Sequence, residues 1–365
     1  MTHAPTVVLA GGGTAGHINP MLAIARALQE REPDVTIMTV GTENSMEARL
    51  VPAAGYDISF IPKVPFPRRP NLDAIKFPGR FRASLKQAEK ILTDTGADVL
   101  VGVGGYVCTP MYLAARKLGV PVVIHEANAK PGLANKVGAK NAALVATAFP
   151  DTPIAGARTV GMPMRQNIAD LDRASEQGAA RERLGLDPAL PTLVVTGGSL
   201  GALSLNRAVA EIIDEIAPAG YQLLHITGRD KAVKDESGQL RTAPGYQQVE
   251  FITSMEDVYA AADLMIVRSG AATVSEVAAV GLPAIFVPLP IGNGEQALNA
   301  RSLVAAGAAL LVDDSDFTAS WFRQNVPALL ADTDKLTDMA EKSYRHGIRD
   351  AAQVMADEVL KAARV

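Results

Sequence analysis

The stretch Thr6-Val7-Val8-Leu9-Ala10-Gly11-Gly12-Gly13-Thr14-Ala15-Gly16-His17 reads as a strand, a tight turn and the start of a helix. The run Thr6 to Ala10 is apolar without alternation, as in a strand buried on both faces of a parallel sheet. Glycines let the backbone bend sharply and approach a ligand closely. The helix behind them turns unpaired N–H groups and a positive dipole end toward whatever lies in the turn. The same construction returns half a chain later, where Thr192 to Thr196 runs into Gly197-Gly198-Ser199-Leu200-Gly201-Ala202. One such turn suggests a nucleotide. Two at this spacing predict an α/β chain of two Rossmann-like, doubly wound parallel-sheet domains facing each other across a cleft.

The rest of the chain fits that frame. Strand-like runs 35–40, 99–103, 121–124 and 143–147 follow in the first half, and 222–227, 249–251, 264–267, 284–287 and 309–312 in the second. Helical patterns separate them, so each half reads as covered on both sides. At 365 residues the chain is too long for one ordinary core. The polar segment 161–187 has no strand pattern, which puts the linker near Gly161 to Arg165. The expected division is therefore 1–163 and 164–340, with a last helical stretch, about 341–365, as a candidate to cross back onto the first domain.

Composition excludes several classes. The net charge of −4 makes nucleic acid an unattractive partner. The single cysteine, Cys108, excludes an internal disulfide and fits a reducing compartment. The N-terminus runs straight into the first strand without a basic and then apolar leader, which points to the cytoplasm. No uninterrupted apolar run is long enough to span a bilayer.

Gly11, Gly13 and Gly16 also satisfy the dinucleotide fingerprint. A nicotinamide enzyme needs an acidic residue about 20 positions on, at the end of the second strand. Here that strand ends Thr39-Val40-Gly41-Thr42, with only Glu43 near it, so the fingerprint is incomplete. His17 follows the last glycine and suits either a hydrogen bond to the turn or proton abstraction near neutral pH. Arg268 to Glu276 opens another helix after a strand, and reads either as a Thr273 to Glu276 capping box or as a second diphosphate site with Glu276 on a ribose diol. Gly292 to Ala300 brings Glu295 and Gln296 to a helix start, where they suit sugar hydroxyls or solvent. The Asp-x-Asp triplets at 170–172, 314–316 and 332–334 lie in polar connections, where aspartate caps helices, and they are read as caps rather than as metal ligands.

Taken in order, Gly11 to Pro20, Gly102 to Val107, His125-Glu126-Ala127-Asn128, Gly197 to Ala202, Arg268 to Glu276 and Gln296 to Ala300 resemble one family across nearly the whole chain. It is the family of peptidoglycan N-acetylglucosaminyltransferases that form lipid II from lipid I, inverting enzymes of the glycosyltransferase B architecture. The resemblance implies UDP-N-acetylglucosamine as donor and undecaprenyl-diphosphate-linked muramyl pentapeptide, lipid I, as acceptor, with no cofactor and no metal in the chemical step. It implies His17 as the base, steadied by Glu126. The donor set it implies is Thr14, Gly16, Asn128, Arg165, Gly198, Ser199, Gly201, Ile252, Met255, Ser269, Gly270, Ala271, Thr273, Glu276, Glu295 and Gln296. The acceptor set is Gly13, Thr14, Gly104, Gly105, Tyr106, His125 and Asn128. The chain departs from the family at Ala127 and Leu200, where glutamine is usual, and at Glu295, where histidine or glutamine is expected.

One stretch breaks the charge balance. From Lys63 to Lys86 seven basic residues face one acidic residue, Asp73. A lipid-linked acceptor gives them a use, with Phe66, Arg68, Arg69, Ile75, Lys76, Phe77, Arg80 and Phe81 against the anionic cytoplasmic face of the cell membrane. Other cell-wall and division proteins are candidate partners. The competing readings are a natural-product glycosyltransferase or a UDP-N-acetylglucosamine epimerase of the same architecture, a non-catalytic scaffold, and a dehydrogenase.

Overall fold

A computed structural model of the chain describes residues 4–64, 72–198, 201–291 and 293–364. They form two compact units, Met1–Arg165 with Arg349–Val365, and Gln166–Ile348.

In the first unit β1 (Thr6–Ala10), β2 (Thr36–Gly41), β3 (Ile58–Phe60), β4 (Val99–Gly102), β5 (Val122–Glu126), β6 (Leu144–Thr147) and β7 (Arg158–Thr159) alternate with α1 (Ala15–Arg31), α2 (Glu47–Ala53), α3 (Leu72–Thr95), α4 (Cys108–Leu118) and α5 (Leu133–Ala139). The strands pair in parallel in the order β3-β2-β1-β4-β5-β6-β7. Alternate residues of β1 feed two separate cores. Val7 and Leu9 pack with Ile24 and Leu28 of α1, and Val8 and Ala10 pack with Met111 and Tyr112 of α4. Strands buried this way on both faces carry no polar alternation, which is why the run Thr6 to Ala10 reads as it does.

The second unit holds α6 (Gln166–Ala169), α7 (Arg173–Arg183), β8 (Thr192–Thr196), α8 (Leu203–Ala210), β9 (Gln222–Ile226), β10 (Tyr246–Val249), α9 (Met255–Ala261), β11 (Leu264–Val267), α10 (Ala271–Ala279), β12 (Ala284–Phe286), α11 (Glu295–Ala305), β13 (Ala309–Leu311), α12 (Ala319–Ala331) and α13 (Thr333–His346). Its parallel sheet runs β10-β9-β8-β11-β12-β13. Both sheets therefore reverse direction beside their first strand, between β1 and β4 and between β8 and β11. Ligands of such sheets lie at the carboxyl ends of the strands at that point, and both glycine turns stand there.

Two expectations need correction, and two strands were not expected at all. The strand expected at 249–251 is β10, Tyr246–Val249, leaving Phe251 exposed in the following loop. The short edge strands β3 and β7 carried no readable pattern. The last helical stretch is two helices, and the units part after Arg165 and after Ile348. The helix α13 stays on the second unit. There Gly347 lies so close to α10 that a methyl on it would sit 2.5 Å from the Ala278 carbonyl. Only α14 (Ala351–Ala363) joins the first unit, where Met355, Ala356 and Val359 enter the α1 core.

Arg173 of α7 fastens parts of the second unit together. Arg173 donates to the carbonyls of Tyr259 (3.0 Å), Gly281 (2.7 Å) and Ala262, at the ends of α9 and just past α10. Helix ends leave such carbonyls without intrahelical partners. Burial brings the Arg173 guanidinium down to about 10.

Candidate functional site

At the carboxyl end of β1, the turn Gly11 to Gly13 meets the turn after β4. Gly104 and Gly105 both have positive φ, +104° and +95°. A methyl on Gly105 would lie 2.4 Å from the Gly12 carbonyl, and one on Gly104 would lie 2.9 Å from His17 Nε2. Only glycine allows this approach. Cys108 pins the turns together, its single S–H shared between the carbonyls of Ala10 (3.2 Å) and Gly104 (3.1 Å). Burial pushes that thiol up to about 11, so it remains protonated.

His17, on the first turn of α1, is half-buried. Its Nδ1 lies 3.0 Å from the Gly12 carbonyl and 3.3 Å from Thr14 Oγ1. A carbonyl only accepts, so Nδ1 carries the proton and Nε2, facing Gly104, carries the lone pair. Burial lowers the imidazole from its ordinary 6.5, opposed by the Gly12 hydrogen bond and by the charges of Glu126 and Glu47. A neutral ring with a lone pair beside an opening can take a proton. Thr14, Gly13 and Gly16 are exposed around it, and Tyr106 is 47% exposed with Lys63 Nζ 6.0 Å above its ring.

Glu126 ends β5 and is buried. Its Oε1 accepts from the Asn128 amide at 2.9 Å, and its Oε2 from the Gly132 amide and Asn135 Nδ2, both at 2.9 Å. Tyr112 in turn donates to Asn135 Oδ1 at 2.7 Å. Glu126 thus shapes the loop that carries Asn128 and reaches His17 through charge. His125 departs from its expected place among acceptor contacts. It has no exposed surface, and its Nε2 donates to the Gly161 carbonyl at 2.8 Å, tying β5 to the segment that ends at the half-buried Arg165.

In the second unit, Gly197 and Gly198 follow β8, and Ser199 lies outside the described residues. Gly201 has φ +67°, and a methyl on it would lie 2.3 Å from the Thr227 carbonyl. Lys231 Nζ donates to the Gly201 carbonyl at 3.3 Å. Behind the turn Asn206 donates to the carbonyls of Thr227 and Lys231, each at 3.0 Å, and accepts from His225 Nε2 at 3.0 Å. Burial brings His225 down to about 3, so it is neutral.

The helix α10 begins earlier than a Thr273 to Glu276 capping box requires. Its N-cap is Gly270, and Ala271 and Thr273 fall in its first turn, where no acidic residue stands. Ser269 is fully buried, its Oγ without a hydrogen-bond partner and its carbonyl accepting from Asn299 Nδ2 at 3.3 Å. Glu276, one turn on, accepts from Tyr259 OH at 2.6 Å. Arg268 binds the carbonyls of Val287 (3.0 Å) and Pro288 (2.9 Å), Ser204 Oγ (2.8 Å) and Asp314 (2.6 Å), locking the ends of β11 and β12 to α8. Gln296 Oε1 accepts from the Leu289 amide at 2.9 Å, and Glu295 from the Asn293 amide at 3.3 Å. Ile252 and Met255 are half-buried before and at the start of α9. Asp172 and Asp332 are N-caps, of α7 and α13.

Of the basic stretch, Phe66, Arg68 and Arg69 lie outside the described residues, and Ile75 is placed only as a backbone position on α3. Lys76 and Arg80 are exposed on α3, beside Phe77 and Phe81, whose rings stack at 5.5 Å. Among the described residues no helix is long and apolar enough to cross a membrane.

A model described as the glycosyltransferase family 28 N-terminal domain matches residues 7–147, and one described as the family 28 C-terminal domain matches 192–355. The chain is 61% identical, over 98% of its length and 96% of the relative's, to the UDP-N-acetylglucosamine--N-acetylmuramyl-(pentapeptide) pyrophosphoryl-undecaprenol N-acetylglucosamine transferase of Paenarthrobacter aurescens. The chain belongs to glycosyltransferase family 28. A second member of that name, from Streptomyces avermitilis, is 52% identical over 98% of both chains. The crystal structure of Acinetobacter baumannii MurG superposes with a TM-score of 0.79 at 30% identity, covering 98% of this chain and 99% of that one. Sequence reading of this family 28 chain missed Glu47, Asn135 and Tyr259, each of which acts on a site residue from another element. Glu47 opens α2 like any helix-start carboxylate, so only the shared end of β1 and β2 could have drawn attention to it.

Proposed function

We propose that the chain transfers N-acetylglucosamine from UDP-N-acetylglucosamine to the C4 hydroxyl of the muramyl sugar on undecaprenyl diphosphate, inverting the anomeric carbon. The observation that carries this reading is the full-length identity to a relative named for that transfer. The first unit takes the acceptor and the second the donor. As the acceptor oxygen bonds to the anomeric carbon, its proton passes to His17 Nε2. The bond from that carbon to the UDP oxygen breaks, and UDP leaves with the electron pair. The amide ends of α8 and α10 face the growing negative charge, each contributing about 0.3 to 2 kcal/mol. Glu276, steadied by Tyr259, takes the ribose diol, Ile252 the uracil through its backbone, and Gln296 the sugar hydroxyls.

The acceptor's lipid places the enzyme at the cytoplasmic face of the membrane, with the stretch from Phe66 to Phe81 against anionic headgroups, about 1 kcal/mol for each basic residue near the surface. Neutralising Arg68, Arg69 and Arg80 together is expected to release the protein from anionic vesicles. Unchanged binding removes this surface from the proposal.

The deciding assay follows labelled N-acetylglucosamine from its UDP donor to a lipid I analogue in EDTA, with acceptor-free and UDP-N-acetylgalactosamine controls. Transfer that needs both substrates is expected. Donor binding without transfer would assign another acceptor. In the same assay H17A is expected to lose about 10²- to 10⁴-fold in turnover with UDP affinity unchanged.

A further inference from the structure

Gly12 and Gly13 share one peptide group, and it is held at both ends. The Gly13 amide donates to Glu47 Oε2 at 3.0 Å, and the Gly12 carbonyl accepts from His17 Nδ1 at 3.0 Å. The bond is trans, so its C=O and N–H point opposite ways in one plane. A carboxylate has only lone pairs to offer. Whichever way Glu47 makes that plane face, the opposite end is what the imidazole meets.

Without such a hold the plane would turn easily. Gly13 has φ +89° and open space where a side chain would be. Glu47 is itself fixed, buried to 1% exposure, with Oε1 accepting from the Thr42 amide (3.1 Å) and Thr42 Oγ1 (2.9 Å). Burial acts to raise its carboxyl, but the hydrogen bonds from Gly13 and Thr42 hold it below the usual range, so it is ionised at neutral pH. A methyl on Gly12 would lie 2.4 Å from Oε1, so the turn is built around this carboxylate. Among the described residues the charged groups acting on His17 are Glu126 and Glu47, and Glu126 is spent on the loop after β5.

We propose that Glu47 is a positioning residue for His17: through the Gly12–Gly13 peptide, its acceptor-only carboxylate holds the imidazole in the Nδ1–H form and leaves the lone pair on Nε2. Chains of hydrogen bonds polarise one another, so the same contact makes the Gly12 carbonyl a better acceptor. The kinetic consequence rests on His17 being the base. The tautomer does not.

The test is ¹⁵N imidazole NMR of the full chain, its E47D and E47Q variants, and H17A to identify the resonance. The unsubstituted protein and E47D are expected to show His17 protonated on Nδ1. Glutamine donates as well as accepts, so E47Q is expected to admit the Nε2–H form and to lose about tenfold in kcat with KM for UDP-N-acetylglucosamine unchanged. An Nε2–H ring in the unsubstituted protein overturns the proposal, and that spectrum decides even if E47Q does not fold. So does an E47Q in which the tautomer stays put. If H17A keeps full turnover while the tautomer responds to E47Q, the base assignment fails and the positioning stands.

Discussion

The two glycine turns read alike in sequence and differ in the charge behind them. The first is built on a buried anion, Glu47, which takes the Gly13 amide, whereas the second has a cation, Lys231, on the Gly201 carbonyl. Each turn is also served by a neutral imidazole. His17 is half-buried with its lone pair toward Gly104, while His225 is buried and braces the second turn through Asn206. A helix N-terminus attracts a phosphate, but a carboxylate inside the same turn opposes it. Glycines specify the path of the backbone. Residues from other elements decide whether that path receives an anion or works a proton.

Among backbone changes that set the two turns against each other, the largest effects should come from closing each turn with a methyl. At Gly201 the methyl meets the Thr227 carbonyl at 2.3 Å, and at Gly105 it meets the Gly12 carbonyl at 2.4 Å, both at positive φ. Strain of about 1 to 3 kcal/mol or more follows in each case. G201A is expected to weaken UDP binding by roughly 10- to 100-fold in calorimetry. G105A is expected to lower turnover by a comparable factor while UDP binding stays intact. Equal losses of UDP affinity in both variants would mean that both turns serve one ligand, and the contrast would collapse.

Acidification should separate the two imidazoles next. Burial lowers both His17 and His225, the latter to about 3, from an ordinary 6.5. Between those values the unfolded chain binds the proton that the folded chain refuses. For His225 the stability is therefore complete above pH 6.5 and lost as pH falls toward about 3. The slope approaches about 1.4 kcal/mol per pH unit for one such ring. Urea unfolding between pH 7 and 5 should show it, with H225Q flatter than the unsubstituted protein. His17 should instead set an acid limb of kcat/KM below pH 6.5, since the neutral ring is the active one.

The two parallel sheets were legible because β1 and β8 show no polar alternation and run directly into glycines; the strand order that makes each sheet reverse beside them came only from the structure. The edges were not: β3 has three residues and β7 two, too few for any period to appear. His125 and Glu126 read as one motif, yet neighbours on a strand point to opposite faces, so both could not line one opening. That signal was available in the sequence. Glu47 was not accessible in the same way, because it sits 34 residues from the amide it holds and only the pairing of β1 with β2 brings the two together. The break between α13 and α14 was hidden because Gly347 is required by its approach to Ala278 rather than by local pattern.

The smallest expected effect sharpens the contrast most directly. K231M keeps the length of the side chain and removes its charge from the second turn. UDP affinity should fall about two- to fivefold, in line with the 0.3 to 1 kcal/mol of one charge near a helix terminus at the surface. The dependence of UDP binding on salt should weaken with it, because the lost contribution is the screened one. E47Q provides the mirror image: it neutralises the charge at the first turn and should leave UDP affinity and its salt dependence where they were. If K231M changes neither quantity, the cation plays no part in receiving the anion, and the difference between the turns rests on Glu47 alone.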